Sequence, residues 1–310
     1  MPVIGRVRSL WPRQPVRFRS IVLPFLLAAA AFISSAPAFA QPPISITTCQ
    51  KITKAGLYEV DSDLIASSPS SGDCLVITAP NVSLNLNRFH IIGATDAVGV
   101  HVMKTAAKAF IEGNGATIQT FGVGLQIDAP GTLADNFIVL SNTDSGVVLN
   151  HVQQADLSNF SAAHNLNDGV RIQGGAYNVL QTPMIFDNGR FGVWIQSSSH
   201  NSVGNFVVQS NTQAGIYIGC STAGPQGLCA RGSRASNFNY LFSGVAGISS
   251  SGIQQYGVAI DLGDNFNRVV NIAAAENNKL DLFDVNSDCA GNYWFAEAQF
   301  GAVNPQNCIN

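Results

Sequence analysis

Charge is what this 310-residue chain has least of: Asp, Glu, Lys and Arg together make up 11% of it. After Arg19 no cluster of Lys or Arg occurs. That excludes nucleic acid as a partner, because binding it needs a basic patch matched to the phosphates. Beyond residue 40 no apolar run is long enough to cross a bilayer, so no membrane span is expected. No CxxC spacing and no Cys/His cluster is present, which leaves a zinc site without support and assigns no metal ligands. The five histidines (His90, His101, His151, His164 and His200) show no metal spacing and no Ser-His-Asp arrangement.

The first forty residues carry an address. Arg6, Arg8, Arg13, Arg17 and Arg19 precede a 13-residue apolar run, Ile21 to Ile33, and then Ala38-Phe39-Ala40, a small-x-small cleavage site. This is the pattern of an export signal; a membrane anchor would need about 20 apolar residues. The reading is a signal peptide over 1–40 and a mature protein that is periplasmic or extracellular. Removing five arginines leaves 11 basic against 19 acidic residues, a net charge of −8. All six cysteines (Cys49, Cys74, Cys220, Cys229, Cys289 and Cys308) follow the signal, an even count that suits three disulfides. Their order favours Cys49–Cys74, Cys220–Cys229 and Cys289–Cys308.

The organising feature is an internal repeat. Gly-aliphatic-x-aliphatic recurs from Gly99, Gly124, Gly146, Gly169, Gly192, Gly215 and Gly257, at steps of 25, 22, 23, 23, 23 and 42. The long step holds an insert carrying Cys220 and Cys229. Cys74-Leu-Val-Ile77 fills the same slot upstream, and Leu280 to Leu282 is expected to fill the last one. A second column, Asn142, Asn165, Asn188 and Asn211, sits four residues before each glycine. With a strand period of two, the aliphatics of each unit point one way and the residue between them the other. Coils of about 23 residues stack equivalent strands in parallel and bury the aliphatic columns, while the asparagines form a hydrogen-bonded structural ladder. The glycines are read as permitting the bend that enters each strand.

On these residues the chain resembles the right-handed parallel β-helix proteins of the pectin-lyase-like superfamily, over roughly residues 49–308. The resemblance implies an all-β single-stranded solenoid of about nine coils with disulfide-tied caps. The expected organisation is an N-terminal cap over 41–73, the β-helix over 74–282 and a C-terminal cap over 283–310. Tyr293, Trp294, Phe295 and Phe300 are read as cap packing, with ligand stacking by Trp294 as the alternative. The leucine-rich-repeat pattern is missing, and a propeller needs a longer repeat.

Function is sought on the outward position of the repeated strand. Its members are His101, Gln126, Val148, Arg171, Trp194, Tyr217 and Ala259, with Asp281 expected last. Arg171, Trp194 and Tyr217 on adjacent coils suggest a groove for a polysaccharide, the rings on sugar C–H faces and Arg171 on carboxylates. Arg over Trp as a cation–π pair with no ligand is the bland alternative. His101, Gln126, Trp194 and Tyr217 are the candidate substrate contacts. Arg171, Asp168 and Asp144 are the candidate catalytic groups, either as an acid–base carboxylate pair or as a β-elimination site with Arg171 as base. No cofactor is required, although a lyase would use Ca²⁺ held by such carboxylates. Alternatively these turn aspartates, with Asp128 and Asp261, bond local backbone only.

Asn142-Thr143-Asp144 looks like the opening of polygalacturonase-type hydrolases, but the later Asp-Asp, Gly-His-Gly and Arg-Ile-Lys elements are absent. So are the Asp-Pro-His of mannuronan epimerases and the calcium repeats of RTX proteins. Two readings stand: an exported protein that binds and modifies a polysaccharide as lyase, hydrolase or epimerase, or a non-catalytic surface module. The insert after Tyr217 either walls the groove or is merely tolerated.

Overall fold

The computed structural model describes residues 42–66, 72–93, 96–227, 232–247, 253–286, 288–295, 301–304 and 309. The export-signal reading of 1–40, together with Cys229, Cys308 and Phe300, lies outside them. Among the described residues there is no α-helix, only a short 3-10 turn at Cys289–Gly291. No helix there is long and apolar enough to cross a membrane.

The Gly-aliphatic-x-aliphatic units are the strands of an eleven-stranded parallel sheet, from Gln50–Ile52 to Val303–Asn304. The remaining strands of each coil form a second, sixteen-stranded sheet, and the whole is a right-handed parallel β-helix of about ten turns. Register follows the repeat: Leu125 pairs with Val100 and Val147, and Gln126 with His101 and Val148. Cys74 takes the place of the first glycine, since Val76 pairs with His101. At the far end Ala259 pairs with Phe283, so Phe283 and not Asp281 holds the outward position of that coil, and Phe283 pairs in turn with Asn304. The reason is that Leu282, one residue before Phe283, is the aliphatic that fills the core beside Val258. In the stretches read as caps, the strands from Ile44–Ile46 to Leu64–Ile65, and Tyr293–Phe295 and Val303–Asn304 beyond Leu280–Asp284, continue the stack.

Inside, Leu75, Val100, Leu125, Val147, Val170, Val193, Ile216, Val258 and Leu282 form one fully buried column. Beside it runs a ladder of amides. Asn142 Nδ2 donates to Asn165 Oδ1, Asn165 to Asn188 and Asn188 to Asn211, at 2.9, 2.9 and 2.8 Å, and all four side chains are buried. Gln254 and Asn277 carry the chain of bonds onward. The ladder explains the glycines better than backbone freedom does. A Cβ on Gly169 would lie 2.7 Å from the Gly192 carbonyl oxygen, 2.9 Å from Asn188 Nδ2 and 2.4 Å from Ile185 Cγ2. From Gly124 to Gly257 each repeat glycine is therefore required by close approach of the next coil and an amide, and Gly99 by the next coil with Ile118 and Phe121, not by the bend expected from the sequence.

A second ladder, Asn178, Asn201, Asn239, Asn267 and Asn292, secures another corner of the coil. The residue before each of the first four is Tyr177, His200, Phe238 or Phe266, all at positive φ near 60°. These exposed rings stack in series with centroids 4.9, 5.1 and 5.2 Å apart. Ring stacking offsets the cost of placing bulky residues in the left-handed region.

Cys49 and Cys74 are disulfide-bonded and tie the first two strands of the eleven-stranded sheet. Cys220 and Cys289 each take part in a disulfide of their own. Trp294 is buried in the last coils, its indole N–H donating to Asp284 Oδ2 at 3.1 Å.

Replacing Gly169 by Val is expected to destabilise the fold by about 3 kcal/mol or more, since overpacking meets rigid backbone. Asn188→Ala is expected to cost about 2–3 kcal/mol, because Asn165 loses an acceptor and Asn211 a donor in a buried site. Denaturant unfolding of both variants checks this; an unchanged midpoint for either would remove the ladder from the account.

Candidate functional site

The outer face of the eleven-stranded sheet divides into two halves. Its outward column reads Val76, His101, Gln126, Val148 and Arg171 on the N-terminal coils, then Trp194, Tyr217, Ala259 and Phe283 on the C-terminal ones. The first half is polar and partly open, the second apolar and sealed.

Trp194 and Tyr217 are 1% and 0% exposed. This corrects the expectation of an exposed Arg-Trp-Tyr stack. The two rings join Phe191, Ala214, Ala259 and Phe283 in a small hydrophobic cluster outside the main core. The insert folds onto them: Trp194 Nε1 donates to the Gly219 carbonyl at 2.8 Å, and Gly224 O lies 3.2 Å from the Tyr217 hydroxyl. The hydroxyl donates to Asp261 Oδ2 at 2.6 Å, and Asp261 Oδ1 accepts the Gln226 amide, pinning the loop. Burial, together with the bond to Asp261 and its charge, pushes the phenol pKa of Tyr217 up. Neither ring offers a face to solvent. The cation over Trp194 is Arg190, 4.5 Å from the ring centroid, and not Arg171.

Arg171 points the other way. It donates to Asp144 Oδ2 at 3.1 Å and lies 3.9 Å from Asp168 Oδ2, so the three residues read as catalytic candidates do meet. Asp168 is fully buried and held by a two-point fork from Arg190, at 2.9 and 2.6 Å. Burial pushes its carboxyl above the ordinary range, a rise that the bonds from Arg190 and the charge of Arg171 oppose. A carboxylate clamped in this way braces the turn. Arg171, gripped as a cation between two carboxylates, is suited to holding a ligand and unsuited to accepting a proton. Arg190 was not singled out in the sequence; its signal was the position directly before Phe191-Gly192, on the turn beside Asp168.

His101 is the most elaborated polar group on the open half. Its Nδ1 lies 2.6 Å from Asp73 Oδ2 and its Nε2 lies 2.9 Å from Asp128 Oδ2, on the coils before and after it. Asp73 is fixed by the Val98 amide, and Asp128 by Gln126 and Asn150. Each ring nitrogen of His101 therefore faces a carboxylate oxygen of a neighbouring coil. Asp73 was missed in the sequence because it lies 28 residues from His101, on another coil. A groove of about 370 Å³ runs alongside, lined by Asp96, Gln126, Thr143 and Asp144 among others.

A second outward column adds Asp128, Asn150, Gln173 and Gln196 on consecutive coils, two residues after the first column and on the same face. The polar band therefore continues past the point where Trp194 closes the central column. Val148 and Ala259 of the central column are buried.

Under the sealed half lies a carboxylate in an unusual state. Asp264 is 2% exposed; Oδ1 accepts the Ser236 amide, while Oδ2 finds no partner among the described residues. Burial pushes its pKa up to about 7, against the Ser236 bond and with help from the charges of Asp261 and Asp284. The folded state thus holds this proton more tightly than the unfolded chain does. The stability contributed by Asp264 is fully present below the ordinary carboxylate pKa and is lost as pH rises from about 4 through about 7. The full loss is on the order of 4 kcal/mol. Asp264→Asn is expected to be more stable than wild type at pH 8 and to flatten this slope. Urea titrations at a series of pH values test it, and parallel curves for the two proteins would refute it.

No curated protein matches the chain significantly. Among solved structures, the enzymatically active domain of tailspike protein 2 from bacteriophage CBA120 superposes with a TM-score of 0.52 at 13% identity, over 79% of this chain and 41% of that one. The chain thus spans well under half the length of that domain. The A-module of the Azotobacter vinelandii mannuronan C-5 epimerase AlgE6 superposes with a TM-score of 0.47 at 13% identity, over 84% of this chain and 74% of that one. At such identity the first likeness speaks to the fold alone. The sequence model of NosD, described as a periplasmic copper-binding protein, matches residues 51–219, more than half of the chain and the whole polar half of the outer face. The chain belongs to the NosD family.

Proposed function

We propose that this is an exported β-helix protein that binds a polysaccharide along the polar band of its outer face. The observation that carries the reading is the run of His101, Gln126, Asp128, Asn150, Gln173 and Gln196 over consecutive coils. Strands stack about 4.8 Å apart, close to the length of a sugar unit, so successive residues of a chain meet successive side chains. Amide and carboxylate groups at that spacing match the hydroxyls of a glycan. Arg171 with Asp144 forms one rim of the band, and Asp168 with Arg190 supports that rim from within. Trp194 and Tyr217 act by sealing the neighbouring half. Acid–base chemistry on a bound glycan falls to the Asp73–His101–Asp128 line, where an imidazole bridges two carboxylates of neighbouring coils.

The description of the family names copper, and the side chains do not fit that ion. Among the described residues no three of His, Cys, Asp or Glu converge to hold a metal. His101, the best-placed donor, has both ring nitrogens committed to carboxylates. Copper(I) sites draw on thiolate or thioether ligands. Here no cysteine among the described residues is free, and Met103 follows the strand Val98–Val102 whereas Met184 opens the strand Met184–Phe186 on a different coil.

The test is a glycan screen of the purified protein with binding, reducing-end and unsaturated-uronate readouts. Gln126→Ala and Gln173→Ala are expected to weaken binding about tenfold each, the loss of a hydrogen-bonded contact. Turnover that disappears in His101→Ala would mark an enzyme; binding without turnover would mark a recognition module. A stoichiometric copper site with no glycan binding would overturn the proposal.

A further inference from the structure

The polar band ends, on its far side, in a groove of about 440 Å³ lined by His151, Gln173, Gly174, Gln196 and Ser197, with Gly232, Ser233 and Arg234 as the opposite wall. Its electrostatic character is the reverse of the groove beside Gln126. That groove is lined by Asp96 and Asp144, whereas this one has no acidic residue in its lining. Arg234 is exposed, and among the described residues no carboxylate lies within ion-pair reach of it. Its backbone is fixed by donation of its amide to Ser197 Oγ at 3.3 Å, so the wall is tied to the sheet.

His151 is held over the groove by two features. Its Nδ1 lies 2.7 Å from Asn150 Oδ1, which orients the ring and leaves Nε2 for a ligand. Gly174, at φ +64°, makes room for it: a Cβ there would lie 2.7 Å from His151 Cδ2 and 2.8 Å from Nε2. A glycine is needed both for the backbone and for the ring above it. The residues lining this space thus bring a guanidinium without an ion-pair partner among the described residues, an oriented imidazole, two amides and two hydroxyls, and the space is large enough for a sugar unit.

We propose that this groove is a subsite for a sugar bearing an anionic substituent, a carboxylate or a sulfate, with Arg234 as the group that selects the charge. The guanidinium fork matches either anion in two-point fashion. Gln173 and Gln196 are shared with the polar band, so the subsite lies at one end of the bound chain. The inference rests on the glycan reading of that band and adds the class of glycan to it.

The experiment compares three oligosaccharides of equal length, one neutral, one of uronates and one sulfated, by calorimetry on wild type, Arg234→Gln and Gly174→Val. Wild type is expected to prefer at least one charged oligosaccharide over the neutral one by about tenfold, with the preference shrinking as salt is raised. The arm that binds more tightly identifies the substituent. Arg234→Gln, an exposed change that leaves folding intact, is expected to erase the preference while keeping neutral binding. Gly174→Val, checked for folding by circular dichroism, is expected to weaken all three. Equal binding of neutral and charged sugars by wild type, or a preference that survives Arg234→Gln, overturns the subsite and leaves the polysaccharide reading in place. No binding of any of the three overturns both.

Discussion

The spacing of parallel strands governs this molecule. Each coil lies about 4.8 Å from the next, so any side chain at a repeated position meets its own equivalents above and below. Inside, that forces identical shapes to stack. Aliphatic residues do so at no electrostatic cost, and asparagine does so because an amide is both donor and acceptor along the axis. A charged residue would meet a like charge one coil away. This is why the chain carries so few charges and why its buried polar groups are mostly amides and hydroxyls.

The same constraint makes the glycine columns obligatory. The ladder amide and the next coil's carbonyl both close on the glycine Cα, and a methyl group would strike backbone that has no room to move. Ladder and glycine are thus one device: removing either forces the coils apart at that corner. On the exterior the constraint relaxes on one side only. Stacked rings at Tyr177, His200, Phe238 and Phe266 use their faces on one another, so these exposed aromatics stabilise a turn and present mainly edges to solvent.

The outer face shows how a repeating scaffold acquires a local site. Where coils are uninterrupted, polar side chains remain accessible and are cross-linked between coils, as in the Asp73–His101–Asp128 line. Where the insert enters, it closes over Trp194 and Tyr217 and converts an outward column into a second core. A different part of that inserted segment, at Gly232 to Arg234, walls the far groove. One insertion therefore both removes the aromatic residues from solvent and completes the boundary of the open band.

The repeat period, the core column and the Cys49–Cys74 pairing were legible in the chain because each is periodic or local, and period two against a step of about 23 residues leaves only a stacked solenoid. The outward column was legible too, except at Phe283, where the coil lacks its glycine marker. What the sequence could not decide was which outward residues face water. Trp194 and Tyr217 occupy the same register as His101, and only the path of a non-repeating insert buries them. Nor could it pair charges across coils: Arg171 and Arg190 both flank Asp168, and side-chain direction alone gives the two-point grip to Arg190. The sequence by itself determined the stack, because stacking is a matter of period. The tertiary structure decided the site, because accessibility and ion pairing depend on segments that do not repeat.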